Sequence, residues 1–350
     1  MDKIFSIIAE DAERVVKNVE LSEIIGKTVL ITGASGLIGN HFLASLWNLL
    51  RSNSAGTKVV AVMQSEPSPC LKNFLDYQGT RIIRGDLADY DFCKTLPRAD
   101  YIIHAAGYGQ PGRFMENPIK TLKLNSLTTL GLFEKLNEGG KFLFVSTSEV
   151  YSGNNNYPHK ETEIGTTNTD HPRSCYIEGK RCGEAICIAN RAKNIEAKIA
   201  RLSLAYGPGT KHNDQRVMNS FIQKAINGEI NLLDQGDAKR TFCYVSDAIE
   251  IMWNILLNGK DAIYNVGGHS KTTIGELAKK IGAYLRVPVN FPPDSKNSLI
   301  SAPEDVSLDM TKAEREFNKK KYIDLDEGLK KTIAWQKILY NKFKNHDYEK

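Results

Sequence analysis

An apolar run that halts at three evenly spaced glycines constrains this chain most. Lys27-Thr28-Val29-Leu30-Ile31 reads as a buried strand, and Thr32-Gly33-Ala34-Ser35-Gly36-Leu37-Ile38-Gly39 follows it into a helical pattern through about Leu50. A turn leaving a strand needs residues free of Cβ strain, and a phosphate needs close approach to backbone. The helix that follows offers unpaired N–H groups and the positive end of its dipole. A tight turn without a ligand would use the same glycines, but their place between strand and helix favours a nucleotide.

The rhythm repeats. Lys58–Met63 reads as a second strand ending in Met63-Gln64-Ser65. A site that prefers NAD usually has an Asp or Glu there to bond the ribose hydroxyls. No acid is present and no arginine follows closely, so NAD or NADP stays open, with Gln64 or Ser65 available to a ribose. Arg81–Leu87 is a third strand, whose Asp86 either accepts from an adenine amino group or caps the next turn. Tyr101–Gly107 is a fourth, and its small Ala105-Ala106-Gly107 lets a cofactor lie against backbone. His104 reads as a hydrogen-bonded core histidine. Asn117-Pro118 opens a helix expected through about Asn137, with Asn125 interrupting its apolar face. Strands at Lys141–Val145 and Ala197–Leu202 follow, with a polar surface loop over 152–171 between them. Beyond Gly209 the pattern loosens: a helix led by Lys211–Arg216 through about Asn227, a basic turn at Asp237–Phe242, a helix over Ser246–Leu257, a strand at Ala262–Val266, and helices near 273–285 and 326–343.

These elements make an α/β chain with a Rossmann-type doubly wound parallel sheet and a smaller C-terminal α/β substrate-binding lobe. The expected organisation is a helical extension over 1–25, a dinucleotide domain over 26–205 to which 241–270 returns, and a substrate lobe from 206–240 and 271–350. Ile4, Ile7, Ile8, Val15, Val16 and Val19 place an amphipathic helix in the extension, packed on the domain or on a partner subunit. The 350 residues include 41% apolar and 25% charged side chains, and the net charge is +5. That mild excess, without basic runs carrying interleaved aromatics, predicts no nucleic-acid partner. No apolar run is long enough for a membrane span, and Glu10, Asp11 and Glu13 come too early for a signal peptide. Six cysteines without C-x-x-C or a Cys/His cluster predict reduced thiols, no metal and a cytoplasmic protein.

Chemistry concentrates in 141–193. The strand Lys141–Val145 ends in Ser146-Thr147-Ser148-Glu149, and a helix opens at Arg173-Ser174-Cys175-Tyr176-Ile177-Glu178-Gly179-Lys180. Tyr176 and Lys180 are four apart and share a helix face. An ammonium beside a phenol is expected to lower the phenol pKa and to make Tyr176 a general base near neutral pH.

Taken together, these motifs resemble the extended short-chain dehydrogenase/reductase family of nucleotide-sugar epimerases, dehydratases and decarboxylases. The resemblance runs from about Lys27 to Trp335. Within that family Asn117–Lys123, Ser146–Tyr151, Pro172–Arg181, Asn213–Val217 and Lys239-Arg240 with Phe242 are most similar to the UDP-glucuronate decarboxylases. The resemblance implies bound NAD, with NADP not excluded, a sugar-nucleotide substrate and a homodimer paired through helices 117–137 and 174–192. It implies catalytic roles for Thr147, Ser148, Glu149, Tyr176, Lys180 and Arg240. It implies cofactor contacts from Gly33, Ser35, Gly36, Leu37, Ile38, Gly39, Gln64, Asp86, Leu87, Ala105, Ala106, Gly107, Asn125, Tyr176 and Lys180. Substrate contacts fall to Arg113, Ser148, Arg216 and Arg240. Ser148 stands where the related 4,6-dehydratases carry an Asp, which argues against dehydration. Leu204 stands where many relatives carry an Asn that bonds substrate. A 4-epimerase or C4 oxidoreductase needs only Thr147, Tyr176 and Lys180, so both stay in play. A scaffold with a dead site would have lost Tyr176 or Lys180, and both are present.

Overall fold

The computed structural model describes residues 3–51, 56–293 and 305–347. Helix α1 (Lys3–Asn18) precedes β1 (Thr28–Thr32), α2 (Leu37–Leu50), β2 (Lys58–Met63), α3 (Pro69–Leu75), β3 (Thr80–Arg84), α4 (Tyr90–Thr95) and β4 (Ala99–His104). Short helices α5 (Pro111–Glu116), α6 (Pro118–Asn125) and α7 (Leu127–Phe133) lead to β5 (Leu136–Thr147), α8 (Ser174–Arg191) and β6 (Glu196–Leu202). The remainder is β7 (Ala205–Tyr206), α9 (Val217–Ile226), β8 (Ile230–Asn231), β9 (Lys239–Tyr244), α10 (Val245–Asn258), β10 (Ile263–Val266), β11 (Ser270–Thr273), α11 (Ile274–Leu285), β12 (Val289–Asn290), α12 (Thr311–Phe317) and α13 (Leu325–Asp347).

Seven strands form one parallel sheet in the order β10-β6-β5-β4-β1-β2-β3. Successive crossovers run outward one way from β1 and the other way from β4. The crevice at the carboxyl ends of those two strands is therefore the topological switch point, where such sheets take ligands. Alternate strand residues feed opposite faces. Val29 and Ile31 pack with α1, α2 and α10, while Leu30, Val60, Val62, Ile102, Phe142 and Phe144 pack on the other face with Leu124, Leu132 and Cys187 from α6, α7 and α8. Both faces are covered, which is why these strands read as continuous apolar runs.

Two expectations change, and one left open between two packings is decided. The helix expected over 117–137 is two helices broken at Ser126, with β5 already begun at Leu136. The cause is local: Thr121, Asn125, Ser126 and Thr129 each turn a side-chain donor back to the carbonyl four residues earlier, competing with the helix ladder. The basic turn at 237–242 is mostly strand: β9 pairs antiparallel with β11, setting Arg240 opposite Thr272, and parallel with β7. Helix α1 packs on its own chain. Arg14 donates to Asp247 at 2.5 Å, and buried Asp11 accepts from Tyr244 at 2.6 Å and Lys331 at 2.9 Å. Among the described residues no helix is long and apolar enough to cross a membrane.

Candidate active site

The cleft follows from the switch point. Gly33 adopts φ +67°, and a Cβ there would lie 2.6 Å from the Ala105 carbonyl oxygen, so the first turn must be glycine to let β1 and β4 open side by side. Helix α2 starts at Gly36 with no side-chain cap, leaving its first N–H groups facing the cleft. The resulting cavity is about 500 Å³ and is lined by Gly33, Ser35–Gly39, Gln64, Asp86, Leu87 and Ala105–Gly107, with Thr147, Ser148, Glu149, Tyr176 and Lys180 at its far end. These residues fit a dinucleotide: glycine and bare helix N–H groups for pyrophosphate, small residues for close backbone approach.

Tyr176 and Lys180 project from α8 onto the end of β5. Thr147 lies close enough to the Tyr176 hydroxyl to draw its pKa down, and the Thr147 oxygen accepts the Glu149 N–H at 3.2 Å. Lys180 Nζ donates to the Val145 carbonyl at 2.7 Å and lies 6.0 Å from the Tyr176 ring centre. The expected lowering of the phenol by its lysine is not what this geometry produces. Burial pushes Tyr176 up to about 12, opposed first by Thr147, while burial pulls Lys180 down to about 8. The charges acting on the phenol are those of Glu149, Arg173 and Arg216, while the Lys180 ammonium is turned to the Val145 carbonyl. Cationic chemistry at a nicotinamide ring is what a bound cofactor would add beside this phenol.

Glu149 is half-buried and ion-paired with Arg173. Burial raises its pKa, opposed by the charges of Arg173, Arg240 and His171 in that order. Phe114 of α5 lies on Tyr176, and Arg173 lies over Phe114. Beneath the β5 end, Ser146 donates to Glu184 at 2.6 Å, and Arg201 grips Glu184 through Nε at 3.0 Å and Nη2 at 2.8 Å. Arg201 also donates to Tyr151 at 2.9 Å. That buried network fixes the strand end carrying Thr147.

Arg113 and Arg216 line the cleft, Arg216 bidentate on Asp214. Asp86 lines it too, with both oxygens engaged: one accepts the Ala88 N–H at 3.0 Å, the other Lys120 at 2.6 Å. Two expected residues do not reach the cavity wall. Asn125 is fully buried behind it, packed against Gly179 of α8, with its amide donating to Thr121. Arg240 stands on β9, half-buried, coupled to the site through the charges of Asp305, Arg173 and Glu149. Phe114, Lys120, Arg173, Glu184, Arg201 and Lys211 were not singled out in the sequence. An arginine immediately before the tyrosine helix was the one available signal. His104 is structural: Nε2–H donates to the Leu124 carbonyl at 3.0 Å, which leaves Nδ1 to accept from Thr32 at 2.8 Å. Leu204 forms an apolar wall with φ 41°, a conformation asparagine adopts more readily than leucine.

Fold and cleft together are those of a dinucleotide-binding protein with a doubly wound parallel sheet. A family model described as NAD dependent epimerase/dehydratase matches residues 29–267. A UDP-glucuronic acid decarboxylase 1 of Danio rerio is 31% identical over 322 residues, covering 90% of this chain and 74% of its own. A UDP-glucuronic acid decarboxylase 6 of Arabidopsis thaliana is 31% identical over 311 residues, 86% of each chain. Among solved structures, UDP-glucuronic acid 4-epimerase of Bacillus cereus superposes with a TM-score of 0.74 at 24% identity, covering 89% of this chain and 100% of that one. The chain belongs to the NAD dependent epimerase/dehydratase family.

Proposed function

We propose that this enzyme oxidises C4 of UDP-glucuronate or a closely similar sugar nucleotide, decarboxylates the resulting β-keto acid and reduces the ketone again. The observation that carries the reading is the end of β5, where Thr147 lines the same cleft as Tyr176 while the next two positions are Ser148 and an Arg173-paired Glu149. Tyr176 takes the proton of the C4 hydroxyl and Thr147 holds the same oxygen. A bound nicotinamide would supply hydride acceptance and return. A C4 ketone draws the electrons of the breaking C5–C6 bond toward its oxygen, and Tyr176 and Thr147 donate hydrogen bonds to the enolate oxygen, where charge develops. Ser148 has too high a pKa to protonate a departing hydroxyl, which favours loss of carbon dioxide over loss of water. Lys180 would hold the nicotinamide ribose, Arg113 and Arg216 supply positive charge at the cleft wall, and Arg240 acts on the site from behind it. The two decarboxylase relatives support the substrate class.

A 4-epimerase on a related sugar is the second reading, because Thr147, Tyr176 and Lys180 suffice for it and Leu204 alters one wall of the cleft. Product analysis separates the two: a UDP-pentose with released carbon dioxide supports the first, an unchanged carbon skeleton inverted at C4 the second. We also propose a cytoplasmic homodimer. Ile119, Leu127, Leu130 and Ile188 stand exposed on α6, α7 and α8, the helices expected to pair. A solution mass of one chain would sink that part.

A further inference from the structure

Among the described residues, the cleft wall at the end of β2 carries no carboxylate. Met63, Gln64 and Ser65 form the wall at the end of β2. Ser65 Oγ stands 3.3 Å from Ser35 Oγ of the glycine turn, and Lys211 Nζ reaches across from the segment before α9 to donate to Ser65 Oγ at 3.4 Å. Three hydroxyl or amide side chains and an ammonium thus converge from three separate segments.

Nearby acids are already neutralised. Glu66 is taken by Arg84 and Lys72, the latter at 3.9 Å, and Asp86 by Lys120. Lys211 makes no ion pair with a carboxylate among the described residues, and the charge acting on it is that of Arg113. A ribose diol needs an acceptor such as a carboxylate, whereas a 2′-phosphate needs donors and a cation and is repelled by an acid.

We infer that Ser35, Gln64, Ser65 and Lys211 form a seat for the 2′-phosphate of a dinucleotide, so that this chain accepts NADP alongside NAD. The inference rests on membership of the family and on the cleft, not on the decarboxylase reading, and binding measured without substrate keeps the two apart. Phosphate oxygens take the hydroxyl donors of Ser35 and Ser65 and the amide donors of Gln64, and Lys211 balances the added charge.

The test is calorimetric titration of the purified protein with NAD and with NADP, for the unaltered chain, Lys211→Ala and Gln64→Asp. The unaltered chain is expected to bind NADP within about tenfold of NAD. Lys211→Ala should weaken NADP by about tenfold, the size of one charge-assisted hydrogen bond, and leave NAD within about threefold. Gln64→Asp should weaken NADP by at least that factor and strengthen NAD, through like-charge repulsion and a new diol acceptor. Retained NAD binding shows that each variant is folded. NADP bound more than about a hundredfold more weakly than NAD by the unaltered chain overturns the inference, as does Lys211→Ala changing both dinucleotides equally or neither.

Discussion

Phe114 lies flat on Tyr176, ring centres 4.6 Å apart and planes 2° from parallel. Phe114 comes from the short helix α5 and is buried, so it acts as a shelf that fixes the phenol ring against the end of β5. Flat stacking at this distance leaves the tyrosine one orientation toward Thr147.

Phe114→Ala should therefore cost about 3 kcal/mol of stability through the cavity it leaves. It should also lower kcat more than it raises KM, because a loosened phenol still binds substrate but is misaimed. Phe114→Leu, which refills the space, should restore much of the stability and less of kcat. Thermal unfolding and steady-state kinetics check both; equal recovery of both would make Phe114 packing alone.

In the proposed reaction, Tyr176→Phe removes the proton acceptor and one donor to the C4 oxygen. Turnover should fall on the order of a thousandfold while the dinucleotide stays bound. Activity near that of the unaltered chain would take Tyr176 out of the mechanism.

Glu149 is held by opposing effects: burial raises its pKa and Arg173 draws it back down. Removing that opposing charge in Arg173→Met leaves burial unopposed by its largest counterweight, so the Glu149 pKa rises further. The acid limb of the kcat/KM profile should move to higher pH, and the alkaline limb should stay. An unmoved acid limb would mean that Glu149 does not govern it.

His104 is fully buried, and burial lowers its pKa to about 3 from the ordinary 6.5. Between those values the unfolded chain binds a proton that the folded chain refuses. Stability is thus lost as pH falls below 6.5, by up to about 1.4 kcal/mol per pH unit from this one group. His104→Gln keeps the donor to Leu124 and cannot titrate, so its stability should decline less steeply with acid. Denaturant melts between pH 7 and 4 decide it; parallel slopes would contradict the assignment.

The Glu184–Arg201 pair is buried on both sides, at 7% and 4% side-chain exposure. Arg201→Met leaves a carboxylate unpaired in the interior and should cost about 3 kcal/mol or more. Adding Glu184→Leu removes that stranded charge, so the double variant should be more stable than the sum of the single changes implies. Additive losses would mean the two residues act independently.

Much of the sheet was readable because the inner parallel strands are buried on both faces and announce themselves as apolar runs, whereas the edge strand β3 is largely exposed. The strand-end residues Gly33, Ala105 and Thr147 were legible for the same reason, since the ends of parallel strands are where such sheets open. The break at Ser126 was not, because it is made by side-chain bonds to carbonyls that compete with a pattern otherwise helical. Burial misled the reading of Tyr176: four-residue spacing placed it beside Lys180 correctly, but spacing carries no dielectric, and desolvation outweighs the lysine here. Phe114, Lys211 and Arg201 lie 62, 35 and 25 residues from Tyr176 in sequence, and nothing local marks them as its neighbours or as part of its cleft.

The most direct test of the account follows the carboxyl carbon. UDP-glucuronate labelled at C6 should release labelled carbon dioxide and leave a UDP-pentose, with no net consumption of dinucleotide and with loss of both products in Tyr176→Phe. Label that remains in the sugar, with the hexuronate merely inverted at C4 or untouched, would contradict it.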